Sequence, residues 1–253
     1  MSGKYGRLVM IGLALIGASL IGNAALYAFG VSPFNTKSIH ETQSVSADGV
    51  SRILIRSGDV RVVAGGGDRI TATVEGRTGR LQQDGISLTV GERSGELVIE
   101  ASREVKRRLI SFNPGEYELL VEVPDRKLAY VEVATVAADI AVERVRADQF
   151  MLRAVHGEIE TSGLSGSVSA RTDAGDIELG VRAIEGVIHA ETKLGDIGVV
   201  TEEAPEKVSL DMQTRLGEQD VDLPGTAIVT GVPDAPSVWL SAEAGDLKVR
   251  KGR

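Results

Sequence analysis

The sequence of 253 residues contains no cysteine, and only 4% of its residues are aromatic. The lack of cysteine excludes disulfides, thiolate metal sites and a cysteine nucleophile. The scarcity of aromatic side chains means that a core has to be filled by Val, Ile, Leu and Ala. Glycine, by contrast, is abundant at 30 residues, about 12% of the chain against a usual value near 7%. Glycine at this level favours many turns over long helices.

Acidic residues are missing from the first 37 positions. That segment contains Lys4, Arg7 and Lys37 and carries +3, whereas the formal charge of the whole chain is −8, which leaves −11 for the remainder. A domain with this charge repels a phosphate backbone. We therefore expect no nucleic-acid partner.

An uncharged apolar stretch begins at Leu8 and ends at Phe29. As a helix it would be about 33 Å long, close to the ~30 Å hydrocarbon core of a bilayer. Because cations precede it, we expect residues 1–7 to be a cytoplasmic tail and the rest to be extracytoplasmic. A cleaved signal peptide and a buried helix stay open as alternatives, although the run is longer than a signal core and lacks an A-x-A end. The prediction is a retained single-pass anchor in the cell membrane.

The pattern of the chain changes after the apolar stretch. Residues 30–48 are polar, contain Pro33 and are predicted to be a linker. Residues 49–119 alternate with period two, which is typical of strands. They carry a turn motif twice, as SGD at 57–59 and SGE at 94–96. This region is predicted to be an N-terminal β region, either a cap or a looser continuation of the repeats at 120–253.

Residues 120–253 contain six segments that share a small residue, an acid and flanking apolar positions. The small residues are Ala138, Gly157, Gly175, Gly195, Gly217 and Gly245, and the acids after them are Asp139, Glu158, Asp176, Asp196, Glu218 and Asp246. A period near 20 residues with two short strands per segment predicts an all-β fold, a parallel β-solenoid (β-helix-like) of about six to eight short rungs. Rungs would stack about 4.8 Å apart around a shared apolar interior.

Two details of the repeat carry further expectations. Gln219 interrupts an inward column that is otherwise apolar. The last segment ends with four cations, which we expect to cap the exposed end of the stack: Lys248, Arg250, Lys251 and Arg253.

These features resemble a family of bacterial candidate adhesins of unknown function that includes the LiaG-like proteins encoded beside cell-envelope stress regulators. The matching features are the anchor, the opening SGDV at 57–60, the strand LLVEVP at 119–124, and the Gly-Asp-Ile rungs at 175–177 and 195–197. The resemblance covers about residues 49–253. It implies an envelope location, a β-helix-like fold and an adhesive or stress-linked role, and it brings no catalytic residues.

Sequence motifs that are typical of catalytic sites are weak or missing. The segment GGGD at 65–68 is too short for a phosphate-binding loop, and GLSG at 163–166 is not a nucleophile elbow. His40, His156 and His189 are scattered, and the alternation points His189 outward, which disfavours a two-histidine metal site. The long loops that wall a carbohydrate-cleaving cleft are absent. We therefore assign no catalytic, cofactor-binding or metal-binding residue.

The sharpest chemical hypothesis concerns the acid column, the line that Glu158, Asp176, Asp196 and Glu218 would form in stacked rungs. Stacked carboxylates of like charge repel each other, and calcium would relieve this repulsion. The alternative, which we favour, is that the acids accept backbone N–H bonds in the turns. Lys193 and Arg215 would then neutralise the column without a metal.

The sequence as a whole indicates a non-enzymatic, membrane-anchored binding or scaffolding protein of the bacterial cell envelope. The partner would be an envelope protein or a surface polymer. A structural or sensor module acting through a partner membrane protein stays open, as does a β-helix carbohydrate-active enzyme. A basic cluster that could contact anionic lipid consists of Arg103, Lys106, Arg107 and Arg108.

Overall fold

The structure, a computed structural model, describes residues 36–79, 86–103, 116–229 and 235–252. These residues form strands and no helix, which confirms the all-β prediction. The strands are β1 (Thr36–Ser46), β2 (Arg52–Arg56), β3 (Asp59–Gly65), β4 (Arg69–Gly79), β5 (Ile86–Arg93), β6 (Glu96–Arg103), β7 (Glu116–Pro124), β8 (Leu128–Ala134), β9 (Ile140–Glu143), β10 (Arg146–Arg153), β11 (Ile159–Ala174), β12 (Ile177–Ala183), β13 (Val187–Leu194), β14 (Ile197–Glu203), β15 (Lys207–Leu216), β16 (Gln219–Asp222), β17 (Ala227–Ile228), β18 (Ser237–Ala244) and β19 (Leu247–Lys251).

The predicted anchor at 8–29 and the tail at 1–7 lie outside the described residues, as do Lys106, Arg107 and Arg108. Within the part of the chain that is described, no helix has the length and hydrophobicity that crossing a bilayer requires.

The chain divides into two compact units. One comprises Met1–Ile39, Gly76–Ile86 and Arg103–Glu116, and its described residues all belong to the ends of β1, β4, β5, β6 and β7. The other comprises His40–Glu75, Ser87–Ser102 and Tyr117–Arg253 and contains all of the repeats. The features described below belong to this second unit.

Parallel pairing joins equivalent strands of the repeats into two ladders. Ladder 1 contains, in spatial order, β6, β2, β8, β10, the second half of β11, β13, β18 and β15. Ladder 2 contains β7, β3, β9, the first half of β11, β12, β14, β19 and β16. Four strands of the predicted N-terminal β region, β2, β3, β6 and β7, thus continue the ladders of the regular repeats.

The inward columns are those that the repeat predicts. In ladder 1 the pairing register aligns Val131, Phe150, Val168 and Ile188. In ladder 2 it aligns Ile140, Ile159, Ile177, Ile197 and Leu247. Each of these side chains is at most 2% exposed. Because one rung alone cannot cover its apolar side chains, stability depends on burial between neighbouring rungs.

The order of rungs in space departs from their order in the chain. Strand β18 pairs with β13 on one side and β15 on the other, and β19 lies between β14 and β16. The last repeat is therefore internal, and the prediction that its cations cap the stack is wrong. Lys248 and Arg250 instead align with Asp220 and Asp222 of the next rung, where opposite charges lie side by side.

Side-chain composition explains this exchange of positions. At aligned inward positions the last repeat carries Leu240 and Leu247, whereas the repeat beyond it carries Met212 and Gln219. The more apolar repeat thus takes the place that is covered on both sides. Between β16 and β18 the chain also forms the short strand β17, which pairs with β15. Gln219 donates from Nε2 to the carbonyl of Met212 at 3.0 Å.

Strand β1 falls within residues 30–48, where the sequence predicts a linker. Its contacts with β4 are polar: Thr42 Oγ1 lies 3.2 Å from Thr73 Oγ1, and His40 Nδ1 lies 3.2 Å from Glu75 Oε1. The linker prediction missed this strand because hydrophobic alternation is the signal used to find one.

Candidate functional site

In two of the repeats the turn between the ladders has a backbone conformation that favours glycine. Gly175 and Gly195 both have a φ of 143°, a conformation that other residues rarely adopt. A Cβ on Gly175 would overlap the carbonyl oxygen of Gly157 in the adjacent rung. The buried Thr172 and Thr192 donate to the carbonyls of Gly157 and Gly175 at 3.2 and 3.1 Å. Successive turns therefore stack backbone against backbone.

Acids at the next turn position bind the backbone of the neighbouring rung. Asp139 Oδ1 accepts from the amide of Glu158 at 2.8 Å. Asp176 Oδ1 accepts from Asp196, and Asp196 Oδ1 accepts from Asp246, both at 2.8 Å. For Asp176 and Asp196, which belong to the acid column, this confirms the N–H acceptor role that the sequence favours over calcium binding. Across the described ranges, no group of three or more His, Asp or Glu residues is arranged to hold a metal.

Lys193, which the sequence assigns to the acid column, pairs instead with Asp173, whereas Lys248 lies beside the turn acid Asp246. Lys193 Nζ lies 3.0 Å from Asp173 Oδ1, and this contact lowers the pKa of the Asp173 carboxyl. Lys248 Nζ lies 3.6 Å from Asp246 Oδ2. These are exposed pairs, which contribute little to stability.

The three histidines occupy three different settings. His40 lies beside Glu75, His156 bridges Ala137 and Ala174 in a turn, and His189 faces outward from β13 as predicted. The segment at 163–166 lies inside β11, where that strand passes from ladder 2 to ladder 1.

The segment at 65–68 lines a cleft of about 470 Å³ together with Asp48 and Arg126. The guanidinium of Arg126 donates to the carbonyls of Ala47 and Val50. Because Arg126 is engaged by the backbone, it joins the loops around the cleft, and we assign it a structural role.

The outward face of ladder 2 contains a partly covered carboxylate. The carboxylate of Glu178 fills the space that a Cβ on Gly198 would occupy, and Gly198 is buried beneath it. Burial raises the pKa of the Glu178 carboxyl; Arg250 opposes this rise, and Asp176 adds to it.

The outward face of ladder 1 carries the only tryptophan of the chain, Trp239. It lies on β18 between the buried Val238 and Leu240 and is 44% exposed. Its ring centroid is 4.9 Å from that of His189, with 60° between the ring planes. Its Nε1 donates to Asp211 Oδ2. The face therefore presents an aromatic ring that neighbouring side chains hold in place.

Three adjacent strands build this row. The register places His189 on β13 beside Trp239 on β18, and Trp239 beside Asp211 on β15. The row exists because the last repeat is inserted between the repeats of His189 and Asp211. We refer to His189, Trp239, Asp211 and the outward serines near them, Ser169, Ser209, Ser237 and Ser241, as the Trp239 face.

Sequence reasoning did not single out Trp239. Its position between two inward residues already indicated an outward side chain, since strand residues alternate between the faces of a sheet. Neither Asp211 nor His189 could be assigned to it, because chain order separates their repeats from that of Trp239.

Comparison with protein families supports this architecture. A family model described as Toastrack DUF4097 matches residues 87–249, more than half of the chain. The chain belongs to the Toastrack DUF4097 family. This agrees with the resemblance to bacterial candidate adhesins of unknown function. Among curated proteins, none matches the sequence of this Toastrack protein.

One solved structure shares the fold of this Toastrack protein at low identity, and a second is reported with it. A candidate cell adhesion protein from Clostridium sporogenes is 10% identical, with a TM-score of 0.53 over 85% of this chain and 100% of that one. At this identity the likeness shows the fold alone. A candidate adhesin from Bacteroides fragilis is also 10% identical, with a TM-score of 0.45 over 85% of this chain and 97% of that one.

Proposed function

We propose that this Toastrack protein is a non-enzymatic binding or scaffolding protein of the bacterial cell envelope. In this proposal residues 8–29 anchor the chain in the membrane, and the repeats form a parallel β-solenoid outside the cytoplasm. The partner is an envelope protein or a surface polymer.

The Trp239 face is the observation that carries the proposal. Trp239 is exposed, aromatic and held by His189 and Asp211, and such residues dominate recognition surfaces. The carboxylates of Asp139, Asp176 and Asp196, by contrast, accept backbone amides. That engagement suits a structural role better than general acid–base catalysis.

Photo-crosslinking in intact bacteria tests this function. A photoreactive residue replaces Ser169 on the outward face of ladder 1 in one variant and Ala141 on the outward face of ladder 2 in another, which serves as the matched control. We expect an adduct with an envelope component from position 169 and little from position 141. The absence of adducts from both positions, or adducts with cytoplasmic proteins, would overturn the proposal.

A further inference from the structure

We infer that the Trp239 face binds an uncharged polysaccharide, with one sugar ring stacked on the indole. The inference rests on the proposed binding function and names the chemical class of its partner. It follows from three properties of the face: a fixed aromatic plane, surrounding hydroxyl groups and a negatively charged carboxylate, Asp211, beside the indole.

The indole plane is fixed before any ligand arrives. Asp211 holds its N–H edge, and His189 packs against the ring at 4.9 Å. A side chain restrained in this way loses little conformational freedom on binding. The exposed apolar plane of Trp239 matches the C–H face of a pyranose ring, which is also flat and apolar.

Hydroxyl groups surround the indole. Ser237 and Ser241 precede and follow Trp239 at outward positions of β18, and Ser209 is aligned with Ser237. Ser169 lies beyond His189 in the same row. Serine hydroxyls both donate and accept hydrogen bonds, as sugar hydroxyls require. A protein-binding hot spot, in contrast, usually lies in a desolvated apolar pocket.

The charges near the indole do not favour an anionic ligand. Arg171 Nη1 lies 3.0 Å from Glu191 Oε2. Asp211 accepts from the neutral N–H groups of Trp239 and Gln213 and keeps its negative charge beside the indole. A binding face for an anionic polymer needs cations that are available to the ligand. The pairing of Arg171 and the negative charge of Asp211 therefore favour an uncharged sugar chain over an anionic one.

A titration of the full chain in mild detergent tests the inference. The probes are hexasaccharides of β-1,4-linked glucose and of β-1,4-linked N-acetylglucosamine. Because Trp239 is the only tryptophan, its emission, excited at a wavelength that tyrosine does not absorb, reports on this face. We expect a saturable change in emission, with a Kd of about 1 mM or lower. By calorimetry, Trp239→Ala should raise the Kd about tenfold or more.

Controls separate binding from folding. Val136→Ala removes an apolar side chain that is 70% exposed in a turn and should leave the Kd unchanged. Trp239→Phe keeps an aromatic plane and should retain part of the affinity, with circular dichroism confirming that each variant is folded.

Two results overturn the inference: no emission change or heat with either probe, or equal affinity in Trp239→Ala. If the sugar probes fail but the photoreactive residue at position 169 still crosslinks to an envelope protein, an uncharged sugar is excluded as the ligand and the proposed binding function stands. If neither experiment gives a signal, both proposals fall.

Discussion

The carboxylate of Asp196 accepts a hydrogen bond from the backbone amide of Asp246, 50 residues further along the chain, at 2.8 Å. This contact joins the repeat of Gly195 directly to the last repeat of the chain. The intervening repeat at 207–222 lies on the far side of the last one. The inserted last repeat therefore determines both the covered core positions and the Trp239 face.

Core truncations test the insertion. Leu240 and Met212 share one inward column, but Leu240 is 1% exposed and Met212 is only half-buried. Urea unfolding of Leu240→Ala should show a loss of about 2–5 kcal/mol, the usual cost of a buried large-to-small change. Met212→Ala, the matched control, should lose less than about 2 kcal/mol because part of that side chain stays in water. Equal losses, or a larger loss at Met212, would contradict the insertion.

The stacked turns predict that alanine destabilises the fold far more at a turn glycine than at a glycine with open space around it. Gly175→Ala places a Cβ against the Gly157 carbonyl at a φ of 143°. We expect a loss of about 3 kcal/mol or more in the free energy of unfolding, from backbone strain and overlap together. The control is Gly66→Ala, where nothing lies within 4 Å of the new Cβ; its stability should change by about 1 kcal/mol or less. If both variants unfold at similar urea concentrations, the turns do not stack as described.

The acid column predicts a difference between two substitutions. Asp196→Ala removes the acceptor for the Asp246 amide and should cost about 1–2 kcal/mol in unfolding free energy. Asp196→Asn keeps a side-chain oxygen and should cost less. Thermal unfolding with added calcium should give an unchanged Tm. A calcium-dependent rise in Tm that Asp196→Asn abolishes would instead revive the metal hypothesis.

The raised pKa of Glu178 predicts that the free energy of unfolding depends on pH. Burial disfavours the charged form of this carboxyl in the folded state. Its contribution to folding stability is therefore fully present below the ordinary pKa of 4.5, where the group is protonated. It is lost as the pH rises through the higher folded value. Glu178→Gln should therefore gain stability relative to the wild type near neutral pH, and the gain should shrink toward about pH 3.5. The measurement is the free energy of unfolding at both pH values.

A second variant controls for the change of net charge in that experiment. Glu160→Gln removes one negative charge at the position aligned with Glu178 on the adjacent strand. A gain for Glu178→Gln that is constant with pH, or that equals the gain for Glu160→Gln at both pH values, would refute the assignment.

The cysteine-free sequence permits a direct test of membrane topology. Cysteine replaces Ser2 in one variant and the exposed Glu202 in another, and intact cells are treated with an impermeant maleimide. We expect labelling at position 202 in intact cells and at position 2 only after lysis, because the cations before the apolar stretch favour a cytoplasmic N-terminus. The reverse pattern would exclude the proposed orientation.

Local patterns were sufficient to predict much of the fold. Alternation across Ile188 and Ala190 predicted which side chains face inward, and both are at most 1% exposed. The repeated glycine and acid positions also predicted the turns and their hydrogen-bonding role. These features depend on residues that are close in the chain, so one repeat contains the information needed to infer them.

The chain's own sequence therefore determined the strand period, the inward columns and the turn chemistry, because steric limits on the backbone and the burial of apolar side chains act within each repeat. Only the tertiary structure decided which repeats are neighbours. Most repeats present similar apolar columns, so local pattern does not distinguish one neighbour from another, and the repeat interrupted by Gln219 lies beyond the last one. That choice brought His189, Trp239 and Asp211 into one row.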